Sequence, residues 1–203
     1  MTTPVLIYLY HTGKEDTHME KRNETVVKLA QTALMAALCF VSFTFLQIKI
    51  PLPGGDATSL HLGNTFCVLG ALILGGWYGG LAGAVGKLCI GLITGLVAHR
   101  FAKINESTDK KYIFRWSTIA SVAGLGFNVI ADPLAGYFYK QYILGQPQQM
   151  AEVLAKWSTA TTFVNAVVSV LLAGVLYNAL RPVLLKTGMI HVTRTKTSHE
   201  MAN

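Results

Sequence analysis

Runs of about 20 apolar residues recur along the chain, the length that spans the roughly 30 Å hydrocarbon core of a bilayer. The few polar residues inside those runs fall near the same ends of them. The runs are apolar on every side, without the single stripe of a helix packed on a soluble core. Composition agrees, with 52% of residues hydrophobic and 13% charged, against about a quarter charged in ordinary soluble domains. The chain is read as an all-α, polytopic transmembrane helix bundle.

By length there are five apolar segments, over residues 26–48, 62–77, 79–98, 116–139 and 159–180. Pro51, Pro53, Gly54 and Gly55 stop the first, and Gly-Gly-Trp-Tyr-Gly-Gly at 75–80 separates the second from the third. The loop over 51–60, rich in Gly, Asp, Thr and Ser, is either a plain connector or a flap over a pocket. One transmembrane domain is expected over 25–185, between a polar, disordered leader at 1–24 and a basic polar tail at 186–203. Met19 is a second candidate start.

Charge bias tests that count, because short cytoplasmic loops collect Lys and Arg. The leader carries Lys14, Lys21, Arg22 and Lys28, the stretch after Ala98 carries Arg100, Lys103, Lys110, Lys111 and Arg115, and the tail carries Arg181, Lys186, Arg194 and Lys196. All three are expected on the cytoplasmic side, whereas 49–61 and 140–157 read as external. An even number of crossings is then needed between Tyr78 and Arg100, where about 20 residues leave no room for two full spans. A single helix there would also hold Lys87 near mid-bilayer, at a cost of about 2.5 to 3.5 kcal/mol or more unless paired or hydrated. Either a segment is missing beside Gly86 and Lys87, or the protein has five spans with Lys87 paired to Asp132 or with a loop that breaks the rule.

An ionisable or amide group inside a span is costly and points to a site. Asp132 is the strongest case, with Asn128 one turn earlier on the same face and Pro133 loosening the helix beside it. His61 and Asn64 stand at the start of the second segment and Asn165 near the start of the last. These five, with Lys87 and with Trp157 as a stacking surface, form the candidate substrate-binding set. The plainer readings are a structural Lys87–Asp132 salt bridge, an interfacial or capping His61, and an aromatic belt for Trp157, Tyr137 and Tyr139.

Several chemistries find no support. Residues 80–88 miss a phosphate loop, because Leu81 stands where its first glycine belongs and Leu88 where its Ser or Thr belongs. Gly124-Leu-Gly126 lacks the later glycine of a dinucleotide turn. Cys39, Cys67 and Cys89 lie in apolar stretches without metal-ligand or disulfide spacing and read as small packing residues. No catalytic residue, cofactor or metal is expected. The net charge of +7 comes chiefly from the loops assigned inside, which favours anionic lipid over nucleic acid.

The stretch His61-Leu-Gly-Asn-Thr-Phe-Cys-Val-Leu-Gly-Ala-Leu-Ile-Leu-Gly-Gly-Trp-Tyr-Gly-Gly-Leu-Ala-Gly-Ala-Val-Gly86 resembles the second-helix signature of the S components of energy-coupling factor (ECF) vitamin transporters. Thr32-Ala-Leu-Met-Ala-Ala37 resembles their first-helix small-residue motif. The likeness covers about 26–185 and implies six spans with both termini in the cytoplasm. Family members continue the third helix beyond Gly-Ala-Val-Gly and cross an external loop before the fourth. Here Gly86 runs directly into Lys87-Leu-Cys-Ile-Gly-Leu-Ile-Thr-Gly, which resembles the fourth helix. The loss of one helix-and-loop segment would account for the parity conflict.

The resemblance implies a substrate-capture subunit in the bacterial plasma membrane. It would bind a small vitamin or precursor, such as hydroxymethylpyrimidine, pyridoxine or a riboflavin-like heterocycle, on the external side. Its partners would be a transmembrane coupling subunit and two ATPase subunits. Ala30, Ala33 and Ala37 share one helix face, and the resemblance assigns them to docking on the coupling subunit, where spacing alone suggests ordinary bundle packing. The rivals are a membrane-embedded enzyme pairing Asp132 with His61 or His99, and a solitary channel or scaffold.

Overall fold

A computed structural model describes residues 3–52, 55–83 and 87–187, with residues 3–22 by their backbone alone. Helix α1 (Thr3–Thr44) leads into an antiparallel hairpin of β1 (Gln47–Pro51) and β2 (Ala57–His61). Helices α2 (Gly63–Leu74), α3 (Gly76–Gly83) and α4 (Leu88–Gly95) follow, and a π-helical turn over Leu96–Phe101 extends α4. Helix α5 (Lys110–Phe138), prolonged by a second π turn to Ile143, and α6 (Gln148–Lys186) complete the bundle. The backbone expected as a disordered leader is thus the first part of α1. The expected connector after the first span is a hairpin, in register from Gln47 opposite His61 to Pro51 opposite Ala57.

Three helices are long and apolar enough to cross a membrane, over Asn23–Thr44, Lys110–Ile143 and Gln148–Lys186. They are also the exposed ones, with large apolar side chains such as Phe40, Ile130 and Leu171 turned outward. In water such faces would be an aggregation hazard, whereas in lipid they are the solvated surface. The short helices take the interior. Helix α2 touches every other helix, and nine of its 12 residues are buried.

Glycine sets the path through the interior. The second apolar segment stops at Gly75, where φ of +87° is a left-handed conformation that glycine adopts without strain. Helix α3 then returns antiparallel to α2. A methyl group on Gly79 would strike the Ala71 backbone, and one on Gly83 would touch the Cys67 side chain. Helix α4 reverses once more, with Gly91 against the Gly79 backbone and Gly95 against Gly76. The third apolar stretch, 79–98, is therefore two short antiparallel helices rather than one span. Of its junction, Lys87 is described, while Gly86 lies outside the described residues.

This reversal answers the parity conflict in a way the length argument missed. Eight residues make α3 about 12 Å long, and the 14 residues of α4 with its π turn reach about 20 Å. Neither spans a bilayer alone, yet together they bring the chain up and back down within the bundle. The loop over 102–109, with its neighbouring Arg100, Lys103, Lys110 and Lys111, then shares an end with the C-terminus of α6. We term this the basic end and the opposite one the hairpin end.

Short helices inside a bundle still need partners for their terminal carbonyls. At the C-terminus of α2, His99 Nε2 donates to the carbonyls of Ala71 (3.2 Å) and Leu72 (3.0 Å). Its Nδ1 accepts from Asn105 Nδ2 at 2.8 Å, an arrangement that places the ring proton on Nε2. Elsewhere in the core Cys39 and Cys67 meet as thiols, Sγ to Sγ 3.4 Å, and join α1 to α2.

Candidate functional site at the hairpin end

The polar residues singled out in the sequence gather at the hairpin end, but they divide into those already bonded to the protein and those with atoms to spare. Helix α6 supplies the frame. Thr161, Asn165 and Ser169 recur every four residues and so form one row facing β2 and the start of α2. Thr161 Oγ1 meets Thr58 Oγ1 at 2.7 Å, and Thr65 Oγ1 donates to Ser169 Oγ at 3.2 Å. Between them Asn165 clamps the strand, its Oδ1 accepting from His61 N (3.1 Å) and its Nδ2 donating to Ser59 O (2.9 Å). Each end of that amide makes one bond to β2, so Asn165 holds the hairpin down.

Charge is handled similarly. Lys87, at the junction of α3 and α4, donates from Nζ to Asp132 Oδ1 on α5, and Thr162 Oγ1 on α6 reaches Asp132 Oδ2 at 3.3 Å. The side chains keep 18% and 38% of their accessibility, which places the pair in a half-open position rather than in a sealed core. The salt bridge between Lys87 and Asp132, one of the two sequence readings of these residues, is formed. Lys87 therefore does not sit uncompensated at mid-bilayer. Asp132 has a lysine as its partner, not a histidine, and His99 is committed to the far end of α2.

Among the residues singled out in the sequence, three have a buried side-chain atom without a hydrogen-bond partner: Asn64 Oδ1 on α2, Asn128 Nδ2 on α5 and His61 Nδ1 at the end of β2. Asn64 and Asn128 are only 1% and 6% exposed. Buried polar atoms almost always find partners, so an orphaned acceptor and an orphaned donor at one end of a bundle call for an explanation. The His61 ring lies 4.5 Å from that of Phe43, centre to centre. Burial, and next the positive charge of Lys87, hold its imidazole below the ordinary range, so it is neutral at pH 7. A groove of about 440 Å³ opens alongside, bounded by Phe45, Gln47, Ile48, His61, Asn165 and Val168.

Other expectations fare differently. Trp157 is 49% exposed on the first turns of α6 and is not drawn into the cluster. Tyr137 packs edge-on against Phe138 and lines a separate cleft with Ala155 and Thr159. Ala30, Ala33 and Ala37 are exposed on α1, whose buried residues Thr32, Cys39 and Ser42 face the bundle. Packing within this chain is therefore not what keeps those alanines small.

Reading the sequence missed Thr58, Thr161, Thr162 and Ser169. Thr161 and Ser169 lie four residues on either side of Asn165 on α6, which was a usable signal. It also missed the clip formed by Lys140 Nζ on Asp56 Oδ2, which fastens the hairpin turn to the end of α5.

A profile described as "ECF-type riboflavin transporter, S component" matches residues 23–90 and 85–182. The chain belongs to this family. S components are membrane substrate-binding subunits of ECF vitamin transporters, not an enzyme family, and in general they work with a transmembrane subunit and ATPase subunits. The two matched pieces overlap at 85–90, so no residue of this chain intervenes between them. The overlap falls at the junction of α3 and α4, where the sequence reading puts the lost segment of the S-component pattern. A search of curated proteins and a search of solved structures found no match.

Proposed function

We propose that this S component captures a riboflavin-like heterocycle at the hairpin end, facing the outside of the cell, and delivers it to a coupling subunit driven by two ATPases. The observation that carries this reading is the pair of buried, unpartnered amide atoms Asn64 Oδ1 and Asn128 Nδ2. Together they offer an acceptor and a donor, which match the N–H and one of the two flanking carbonyls of an imide edge. Buried groups built to hydrogen-bond a ligand also discriminate strongly against analogues that lack the match. The half-open Lys87–Asp132 pair supplies a nearby polar wall, and its charges compensate each other, which suits an uncharged ring.

The orientation follows from the basic end, whose Lys and Arg residues belong on the cytoplasmic side. At the hairpin end Lys87 and Lys140 are both paired with carboxylates. The exposed Ala30, Ala33 and Ala37 row gives the coupling subunit a face on which backbones can approach closely.

Riboflavin binding to the purified protein, followed by quenching of flavin fluorescence, tests the assignment, with hydroxymethylpyrimidine and pyridoxine as competitors. Saturable quenching that is lost in Asn64→Leu and Asn128→Leu is expected. Quenching retained in both variants would remove the amides from the site, and release of the bound flavin by pyridoxine or hydroxymethylpyrimidine at concentrations below that of riboflavin would reassign the substrate.

A further inference from the structure

At the basic end, far from the hairpin, a pocket of about 360 Å³ lies between the start of α5 and the last turns of α6. Lys110, Ser107, Thr108 and Asn178 supply its polar walls, and Ile113, Pro182 and Leu185 its apolar ones. Arg181 reaches into it while being only 6% exposed. One guanidinium nitrogen, NH2, donates to the carbonyls of Ile104 and Ser107, each at 3.0 Å. The other two, Nε and NH1, are buried without a partner. Among the described residues no carboxylate forms an ion pair with Arg181.

A buried guanidinium without a counter-charge is unfavourable unless an anion supplies one. The nearby acids do not meet that need. Glu106 lies within ion-pair distance of Lys103, and Asp109 caps α5 by accepting from Lys111 N; both line the adjacent groove rather than this pocket. The pocket thus combines two cations, hydroxyl and amide groups, and an apolar side that continues onto the lipid-facing surface at Leu185. The unpartnered Nε and NH1 of the guanidinium are charged donors, each able to take an oxygen of a phosphate. Basic pockets between transmembrane helices on the cytoplasmic side are suited to anionic head groups.

We propose that this pocket binds the phosphate of an anionic phospholipid head group, with Arg181 and Lys110 as its cationic ligands. The glycerol and upper acyl carbons then lie along Ile113, Pro182 and Leu185, which a free phosphate would leave uncovered. A bound head group joins the loop before α5 to the C-terminal turns of α6.

The full chain, purified in detergent and mixed with equal phosphatidylglycerol and phosphatidylcholine, is examined by native mass spectrometry. Phosphatidylglycerol is expected to be retained preferentially. The preference should fall about fivefold for each cation removed, in Lys110→Gln and in Arg181→Gln. Because Arg181 also holds Ile104 and Ser107, Lys110→Gln and Asn178→Leu serve as variants that leave those bonds intact. Equal retention of the two lipids, or a preference unchanged in Lys110→Gln and Asn178→Leu, would overturn the proposal. A thermal shift produced by inorganic phosphate, with no additional effect of phosphatidylglycerol, would show a soluble anion in the pocket and overturn the lipid assignment.

Discussion

Lys87 and Asp132 are joined by a salt bridge that ties the junction of α3 and α4 to the C-terminal part of α5. Asp132 is held from a second side by Thr162 on α6. The pair thus fixes three elements at the end where the unpartnered amides lie.

Removing one charge leaves the other uncompensated in a partly buried place. Lys87→Met is expected to destabilise the protein by about 1 to 2 kcal/mol, below the cost for a fully buried pair because water reaches both groups. Combining it with Asp132→Asn should recover part of the loss. A double-mutant cycle on thermal unfolding in detergent would show this as a coupling energy, and additive effects would mean the two side chains do not interact.

Asn165→Leu removes both hydrogen bonds that clamp β2 and should cost about 1 to 3 kcal/mol, since each net bond contributes roughly 0.5 to 1.5 kcal/mol. The effect is local. Amide exchange at His61 and along the hairpin should accelerate while that of α5 stays unchanged.

The clip between Asp56 and Lys140 predicts a pH dependence. The hydrogen bond from Lys140 holds the Asp56 carboxyl below its usual range. A depressed carboxylate contributes stability above its unfolded value of about 3.9, and that contribution is lost as pH falls through the folded value. Hairpin opening, read as exchange relative to the intrinsic amide rate at each pH, should therefore rise below about pH 4 in the native chain. In Asp56→Asn it should be raised already at neutral pH and lack this acid step.

Gly79 and Gly91 stand where helices touch backbone to backbone. Alanine at either position meets main-chain atoms that cannot rotate aside, so each substitution should cost about 1 to 3 kcal/mol. Gly126 and Gly136, which have open space around them, should accept alanine without loss of melting temperature.

Binding and assembly should separate by mutation. Asn128→Leu is expected to weaken ligand binding about tenfold, as one hydrogen bond lost to a buried carbonyl would, and still to insert in the membrane. Ala33→Leu with Ala37→Leu should keep binding and abolish co-purification with the coupling subunit. Intact assembly in that double variant would show that the exposed face of α1 has another role.

Local chemistry made much of this protein legible from the chain alone. Hydropathy summed over a window is independent of the partners a segment later finds, so the membrane class, the long helices α1, α5 and α6 and the family motif at 61–86 were all readable. So was the clustering of His61, Asn64, Asn128 and Asp132 near one end, because helical rise converts sequence position into depth. Which of those groups remain free was not readable. Asn165 spends its amide on β2, Lys87 neutralises Asp132, and Arg181 stays without a carboxylate, each through contacts between residues far apart in sequence. The reversal of 79–98 into α3 and α4 was equally hidden. Length and apolarity fit a single span there, and only close approach at Gly79, Gly91 and Gly95, a property of several helices packed together, makes two short antiparallel helices the tighter arrangement.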